Sequence, residues 1–199
     1  MFFPAVGNDR QICFSAGVPT FTAKEKVDTG LFILSILAAA GGAPGGRVTK
    51  TVPTIDAEGG IYAINPSNGN LDWEYKCGFA ATPQRVGNKI YFGGMGLYGV
   101  LDADTGKELW ANREKLGGSN AKWYSVAAGK QYLYVLRTPV ATKFTPAYPY
   151  FTVLGDGDVE LRAISLNDGK EVWKTKVTKI GGQSNPLALG FAVDEAKGR

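Results

Sequence analysis

The side chains best placed for chemistry sit around short glycine-containing turns. Asp102 and Asp104 fall in LDADTGKELW (101–110), Asn65 and Asn68 in INPSNGNLDW (64–73), and GDGD occupies 155–158. Clustered oxygens of this kind are what a hard cation such as calcium takes. Asn, Asp and Gly are equally the residues of tight turns, and the two carboxylates of GDGD are too few for a cation, so all three stretches read as turns, GDGD as a flexible one. The chain has no histidine, which removes from it alone a Ser-His-Asp triad, a His general base, a His-ligated zinc and a proximal-His haem. Cys13 and Cys77 belong to no CxxC pair and are too few for a four-thiolate site; a disulfide and two buried thiols both remain open. GGAPGG (41–46) lacks the strand-to-helix context and the Lys-Ser/Thr of a phosphate loop, and reads as a loop crossing one face of the fold.

The elements that hold these residues follow from a repeated phrase. LDADTGKELW and INPSNGNLDW have a third sibling, ISLNDGKEVW (164–173). Each is an apolar strand, a polar turn with Gly (Gly69, Gly106, Gly169), and a short strand reaching Trp four residues later (Trp73, Trp110, Trp173). Alternation such as YGVLD and KELW has the period of a half-buried sheet. The turn residues close a hairpin, and the Trp offers a large flat surface for packing one sheet on the next. Trp110 follows Trp73 by 37 positions, close to one four-stranded propeller blade. Trp173 follows after 63, a blade plus an insertion, which the Pro- and aromatic-rich stretch 137–158 supplies as a loop. Further strands lie at NKIYFGGMG (88–96) and KQYLYVLRT (130–138), and no segment has a convincing helical period. Radially arranged sheets fit best, with a two-sheet sandwich as the runner-up.

Composition agrees. Of 199 residues, 44% are apolar, 20% charged and 12% aromatic, which is globular rather than disordered. The net charge of +4 is spread among acidic residues with no basic run, so no nucleic-acid partner is expected. LFILSILAAAGGA from Leu31 is well short of the roughly twenty apolar residues of a membrane span. The mixed charges ahead of it make a poor signal peptide, and it reads as a buried strand.

The phrase resembles the pyrroloquinoline-quinone (PQQ) repeat of quinoprotein alcohol dehydrogenases. The resemblance continues as an ordered series over roughly residues 2–138: MFFPAVGNDRQIC (1–13), TGLFILSILAAAGGAPGG (29–46), GGIYAINPSNGNLDW (59–73), AATPQRVGNKIYFGG (80–94), LYGVLDADTGKELW (97–110) and GKQYLYVL (129–136). It implies an all-β chain, a partial β-propeller over 1–199 with tryptophan hairpins at 59–76, 97–112 and 159–175. About three to four four-stranded blades of an eight-bladed ring are expected, a larger propeller chain carrying the rest. Starting in mid-propeller, the chain is not expected to close its own ring, and open edges call for a partner.

The activity implied is that of a subunit of a PQQ-dependent alcohol or sugar dehydrogenase, an oxidoreductase and hetero-oligomer of the periplasm or extracellular space. Electrons would pass from quinone to an acceptor such as a cytochrome c. The family's calcium or lanthanide ligands and catalytic aspartate lie in earlier blades, so the resemblance leaves this chain no catalytic or metal residue, and any metal would be held by the partner. The family places a Trp-Gly-Gly near the quinone where this chain has Cys77 and Gly78; Phe79 and Trp123 are the aromatics that would replace that tryptophan. Cys13 stands where the family often has a disulfide cysteine, with Cys77 its possible mate. The alternative is a non-catalytic propeller scaffold or protein-binding module in a larger assembly.

Overall fold

A computed structural model of the chain describes residues 6–8, 10–27, 41, 49–78, 80, 83–114, 120–145 and 150–184. These residues contain no helix and build three four-stranded antiparallel sheets of a partial β-propeller. The first sheet runs β1 (Val6–Asn8), β2 (Gln11–Val27), β3 (Thr49–Ile64), β4 (Leu71–Lys76). The second runs β5 (Gln84–Val86), β6 (Lys89–Gly93), β7 (Leu97–Asp102), β8 (Glu108–Arg113), and the third β9 (Asn120–Ala128), β10 (Tyr132–Thr145), β11 (Tyr150–Ser165), β12 (Glu171–Ser184). In every sheet spatial order follows chain order, so each sheet is a meander of consecutive hairpins and needs no long crossover. Among the described residues no helix is long and apolar enough to cross a membrane.

The last hairpin of each sheet is built the same way three times. The N–H groups of Gly69, Gly106 and Gly169 donate to the carbonyls of Asn65, Asp102 and Ser165 at 2.8, 2.9 and 3.0 Å. The Asp102 carboxylate, a candidate cation ligand by residue type, is used up locally. Its Oδ1 accepts from the backbone N–H of Thr105 at 2.9 Å and of Asp104 at 3.2 Å, and from the Thr105 hydroxyl at 2.7 Å. Asn65 Oδ1 likewise accepts from the Ser67 N–H at 3.0 Å. After each turn the ladder slips by one residue, so that Trp73 faces Ala63, Trp110 faces Val100 and Trp173 faces Ala163. Such a bulge re-aims one side chain, and here it aims the tryptophan off the sheet.

That side chain joins the sheets. A Cβ placed on Gly106 would lie 2.5 Å from Cδ2 of Trp73, and one on Gly169 would lie 2.9 Å from Cδ2 of Trp110. Each indole therefore rests on the turn glycine of the following sheet. The Trp73 indole N–H also donates to the Ala103 carbonyl at 3.0 Å. Around these contacts lie two cores. Cys13, Ile61, Ala63 and Trp73 of the first sheet meet Ile90, Phe92, Leu97 and Leu101 of the second. Tyr91, Tyr98 and Val100 from the opposite face of the second sheet meet Tyr124, Val126, Leu133, Val135 and Ile164 of the third. The middle sheet is thus buried on both faces, which is why KIYFG and LYGVL are continuous apolar runs instead of alternating ones.

Two expectations are corrected. The stretch 137–158, expected as an insertion loop, is paired strand on both sides: Arg137 pairs with Glu160, and Val140 through Thr145 pair with Gly155 back to Tyr150. GDGD, expected as a flexible turn, lies in β11. Its glycines sit at ladder irregularities, with Gly155 opposite Ser184 and Gly157 opposite Ile180, so the small residues serve a bulge. The expected buried strand from Leu31 and the GGAPGG loop lie outside the described residues apart from Gly41.

The tryptophan contact makes a quantitative prediction. Gly69 and Gly106 share a left-handed backbone (φ +74° and +67°), yet among the described residues a Cβ on Gly69 meets nothing within 4 Å. Replacement by Ala costs each site about 1–2 kcal/mol of conformational strain. Gly106→Ala is expected to cost a further 1–3 kcal/mol or so, because the rigid indole cannot give way. Urea unfolding of the two variants measures the difference, and equal losses would refute the contact.

Candidate functional site

Cys77 and Gly78 sit where β4 leaves the first sheet. Both backbone N–H groups donate to the Gly59 carbonyl, at 3.3 and 3.0 Å. They line an open cleft of about 390 Å³ with Glu58, Tyr62, Glu74 and Lys76. Trp123 lies elsewhere, on the first strand of the third sheet. It pairs with Met95 across a single bridge, is 2% exposed, and donates its indole N–H to Ser125 Oγ at 3.2 Å. Trp123 does not line the Cys77 cleft, and Phe79 lies outside the described residues. The two cysteines are free thiols. Cys13 is buried and donates to Gln11 Oε1 at 3.4 Å. Burial raises both thiol pKa values, that of Cys77 to about 12, which keeps it protonated and a poor nucleophile.

The polar groups that the fold does gather are mutually neutralised. At the rim between the first two sheets, Arg85 donates to Gln11 Oε1 at 2.8 Å and lies 3.8 Å from Asp104. With Arg10, Asp72 and Asn88 they line a groove of about 450 Å³, in which two arginines face two aspartates. Tyr75 and Arg113, from the first and second sheets, converge on Glu108. The tyrosine hydroxyl donates to its carboxylate, and Arg113 Nη1 donates to Oε1 at 3.1 Å. The Arg113 hydrogen bond holds Glu108 below the ordinary carboxyl range, while burial first and then Glu108 push Tyr75 up. In Glu114, burial opposes the charge, but hydrogen bonds from Lys122 and Tyr124 outweigh it and lower the pKa. On the third sheet Glu160 lies 2.7 Å from Arg162 and 3.5 Å from Arg137, and Arg162 lies 3.4 Å from Glu171. Among the described residues no three His, Cys, Asp or Glu side chains group as a metal site.

The resemblance singled out Cys77 and Gly78, and neither it nor residue type pointed to the Arg85–Gln11 and Tyr75–Glu108–Arg113 networks. Their partners stand 74 and 33 positions apart in the chain, and no local spacing announces them. The tyrosine in β4 and the arginine closing β8 are the only signal, and they read there as ordinary strand residues.

The PQQ_2 family model, described as outer membrane protein assembly factor BamB, matches residues 35–194. No curated protein sequence matches the chain. Among solved structures, BamB from Moraxella catarrhalis is similar at 18% identity over 65% of this chain, with a TM-score of 0.35. The match spans 50% of that protein's length.

Two outcomes are expected of these groups. Native Cys77 should react with a thiolate-directed reagent at pH 8 on the order of a thousandfold more slowly than in the unfolded chain, its rate still rising tenfold per pH unit up to pH 10. A plateau near pH 9 would contradict its burial. The carboxyl pKa of Glu160 is lowered in the fold, first by its hydrogen bond with Arg162. Its stabilisation is therefore complete above the unfolded Glu value of about 4.3 and lost as pH falls through the folded value. Glu160→Gln should destabilise by about 1 kcal/mol at pH 7, with the gap closing in denaturant titrations below pH 4 or so.

Proposed function

The chain belongs to the PQQ-repeat family described as outer membrane protein assembly factor BamB, and from that premise we propose that it is a non-catalytic propeller scaffold, a protein-binding module in a larger assembly. The observation that carries this reading is how its polar side chains are used. Arg85, Glu108, Arg113, Glu114, Lys122, Glu160 and Arg162 are all tied to one another or to Gln11, Tyr75 and Tyr124. Groups locked in pairs within and between sheets stiffen a platform; they do not present a base or nucleophile to a substrate. The Trp73 and Trp110 hairpins likewise serve packing between sheets. The family description, an outer membrane protein assembly factor, supports a scaffold on the periplasmic or extracellular side.

The ordered motif series favours a second reading, a subunit of a PQQ-dependent alcohol or sugar dehydrogenase that contributes blades to a site shared with a larger chain. It requires Cys77, Gly78, Phe79 or Trp123 to meet the quinone. The near-complete burial of Trp123 leaves no open indole face for a quinone to stack on, and a protonated thiol replaces the expected aromatic, so no reaction step is derived through that cofactor.

Purification of the natively expressed protein decides between the readings. The scaffold reading expects one or more protein partners by native mass spectrometry, no quinone absorbance and no alcohol-dependent dye reduction after adding PQQ and calcium. Quinone absorbance together with dye reduction overturns it in favour of the dehydrogenase.

A further inference from the structure

The three Gly–Trp hairpins differ at the residue that precedes the glycine, which is Asn68, Thr105 or Asp168. Asn68–Gly69 is the chain's one Asn-Gly step, and every other Asn is followed by a residue with a side chain. The side-chain carbonyl carbon of an Asn can close a five-membered ring on the next backbone nitrogen. A following glycine leaves that nitrogen unshielded and its backbone free to bend towards the ring. We propose that Asn68 is a site of spontaneous covalent modification, in which the Gly69 nitrogen displaces ammonia from the Asn68 side chain. The native turn sets when this happens and which product the fold keeps.

In the reaction the Gly69 nitrogen bonds to Cγ of Asn68 as the Cγ–Nδ2 bond breaks. Nδ2 leaves as ammonia, taking the proton that Gly69 gives up. Water then opens the five-membered imide that remains. Breaking the bond from nitrogen to Cγ leaves an aspartate. Breaking the bond from nitrogen to the main-chain carbonyl carbon leaves an isoaspartate, with the backbone running through Cβ and Cγ. Nothing is oxidised or reduced, and water is the only co-reactant.

The folded turn withholds both reacting groups. The Gly69 N–H donates to the Asn65 carbonyl at 2.8 Å, so the nitrogen is held with its proton in place. Asn68 Oδ1 accepts from the Asn70 N–H at 2.9 Å, which fixes the side-chain amide. The Asn65 N–H closes the turn on the Asn70 carbonyl at 2.9 Å. All of these bonds lie within residues 65–70. The imide therefore forms from molecules whose turn has opened, a local event that costs less than unfolding the chain. The third hairpin shows that an aspartate is accommodated. Asp168 stands there in the place of Asn68, its Oδ1 accepts from the Lys170 N–H at 3.3 Å, and Gly169 still donates to Ser165 at 3.0 Å. An isoaspartate instead adds a main-chain carbon between Cα of residue 68 and the Gly69 nitrogen. That carries Gly69 away from the Asn65 carbonyl and shifts the short strand that sets Trp73 on Gly106. The site is independent of the scaffold reading, which a failed test here would leave standing.

Ageing the purified full chain at mildly alkaline pH, both native and in urea, and mapping its peptides by mass spectrometry tests the proposal. Asn68 is expected to be the first Asn converted, and to convert in the native protein at least about tenfold more slowly than in urea. Another Asn converting first overturns the assignment, and equal rates in the two states overturn the control by the turn. Chromatography of the aged protein separates its aspartate and isoaspartate forms. The aspartate form and the Asn68→Asp variant should keep the urea midpoint of fresh protein, whereas the isoaspartate form should unfold at lower urea. An isoaspartate form as stable as fresh protein, or an Asn68→Asp variant as unstable as the isoaspartate form, overturns the selection between products.

Discussion

An indole lying on a backbone with no side chain is the contact on which this architecture depends. A hairpin sheet buries only one face by itself and must find a second sheet to cover it. Here the cover is registered by one rigid aromatic per sheet, which needs a flat landing place on the next. A turn glycine provides that place, because any Cβ at Gly106 would stand 2.5 Å from the ring of Trp73. The same glycine holds a positive φ that closes its own hairpin. One residue thus terminates a strand pair and receives the neighbouring sheet, coupling local turn chemistry to packing.

The remaining interactions are arranged around that registration. With the sheets held face to face, the middle one loses its solvent face, and its strands become apolar on both sides. Polar side chains are pushed to the rims and to the seams between sheets. There they meet residues from the adjoining sheet, as Tyr75 meets Glu108 and Arg113, and Arg85 meets Gln11. Burying such groups is costly unless they are paired, and the pairings across the seams offset that cost. They also hold neighbouring sheets in one relative position, the property a platform for other proteins needs.

Much of this was legible in advance. The three Gly–Trp phrases declare hairpins, and their spacing of about one blade declares repeated four-stranded sheets. Asp102 was legible as a turn residue because Asp bonding its own following backbone is a local event. The stretch 137–158 was misread for a physical reason: its prolines argue locally against strand, whereas Pro139 falls at the ladder irregularity between Arg137 and Val140, where a missing donor does little harm. GDGD looked like a turn because glycine and aspartate are turn residues, but a glycine in a strand also permits a bulge. The candidate quinone residues, carried over by resemblance, were placed apart, with Trp123 inside the third sheet and Cys77 at the margin of the first.

By itself the amino-acid sequence determined the class of structure, since alternation, turn chemistry and repeat spacing act over a few residues and survive any arrangement of the sheets. It also excluded histidine chemistry outright, since composition does not depend on folding. Only the tertiary structure decided what each tryptophan touches, because Trp73 and Gly106 belong to different repeats and nothing in either phrase names its mate. The fold likewise decided that Trp73 is buried while Trp173 is exposed, although the phrases that carry them are alike.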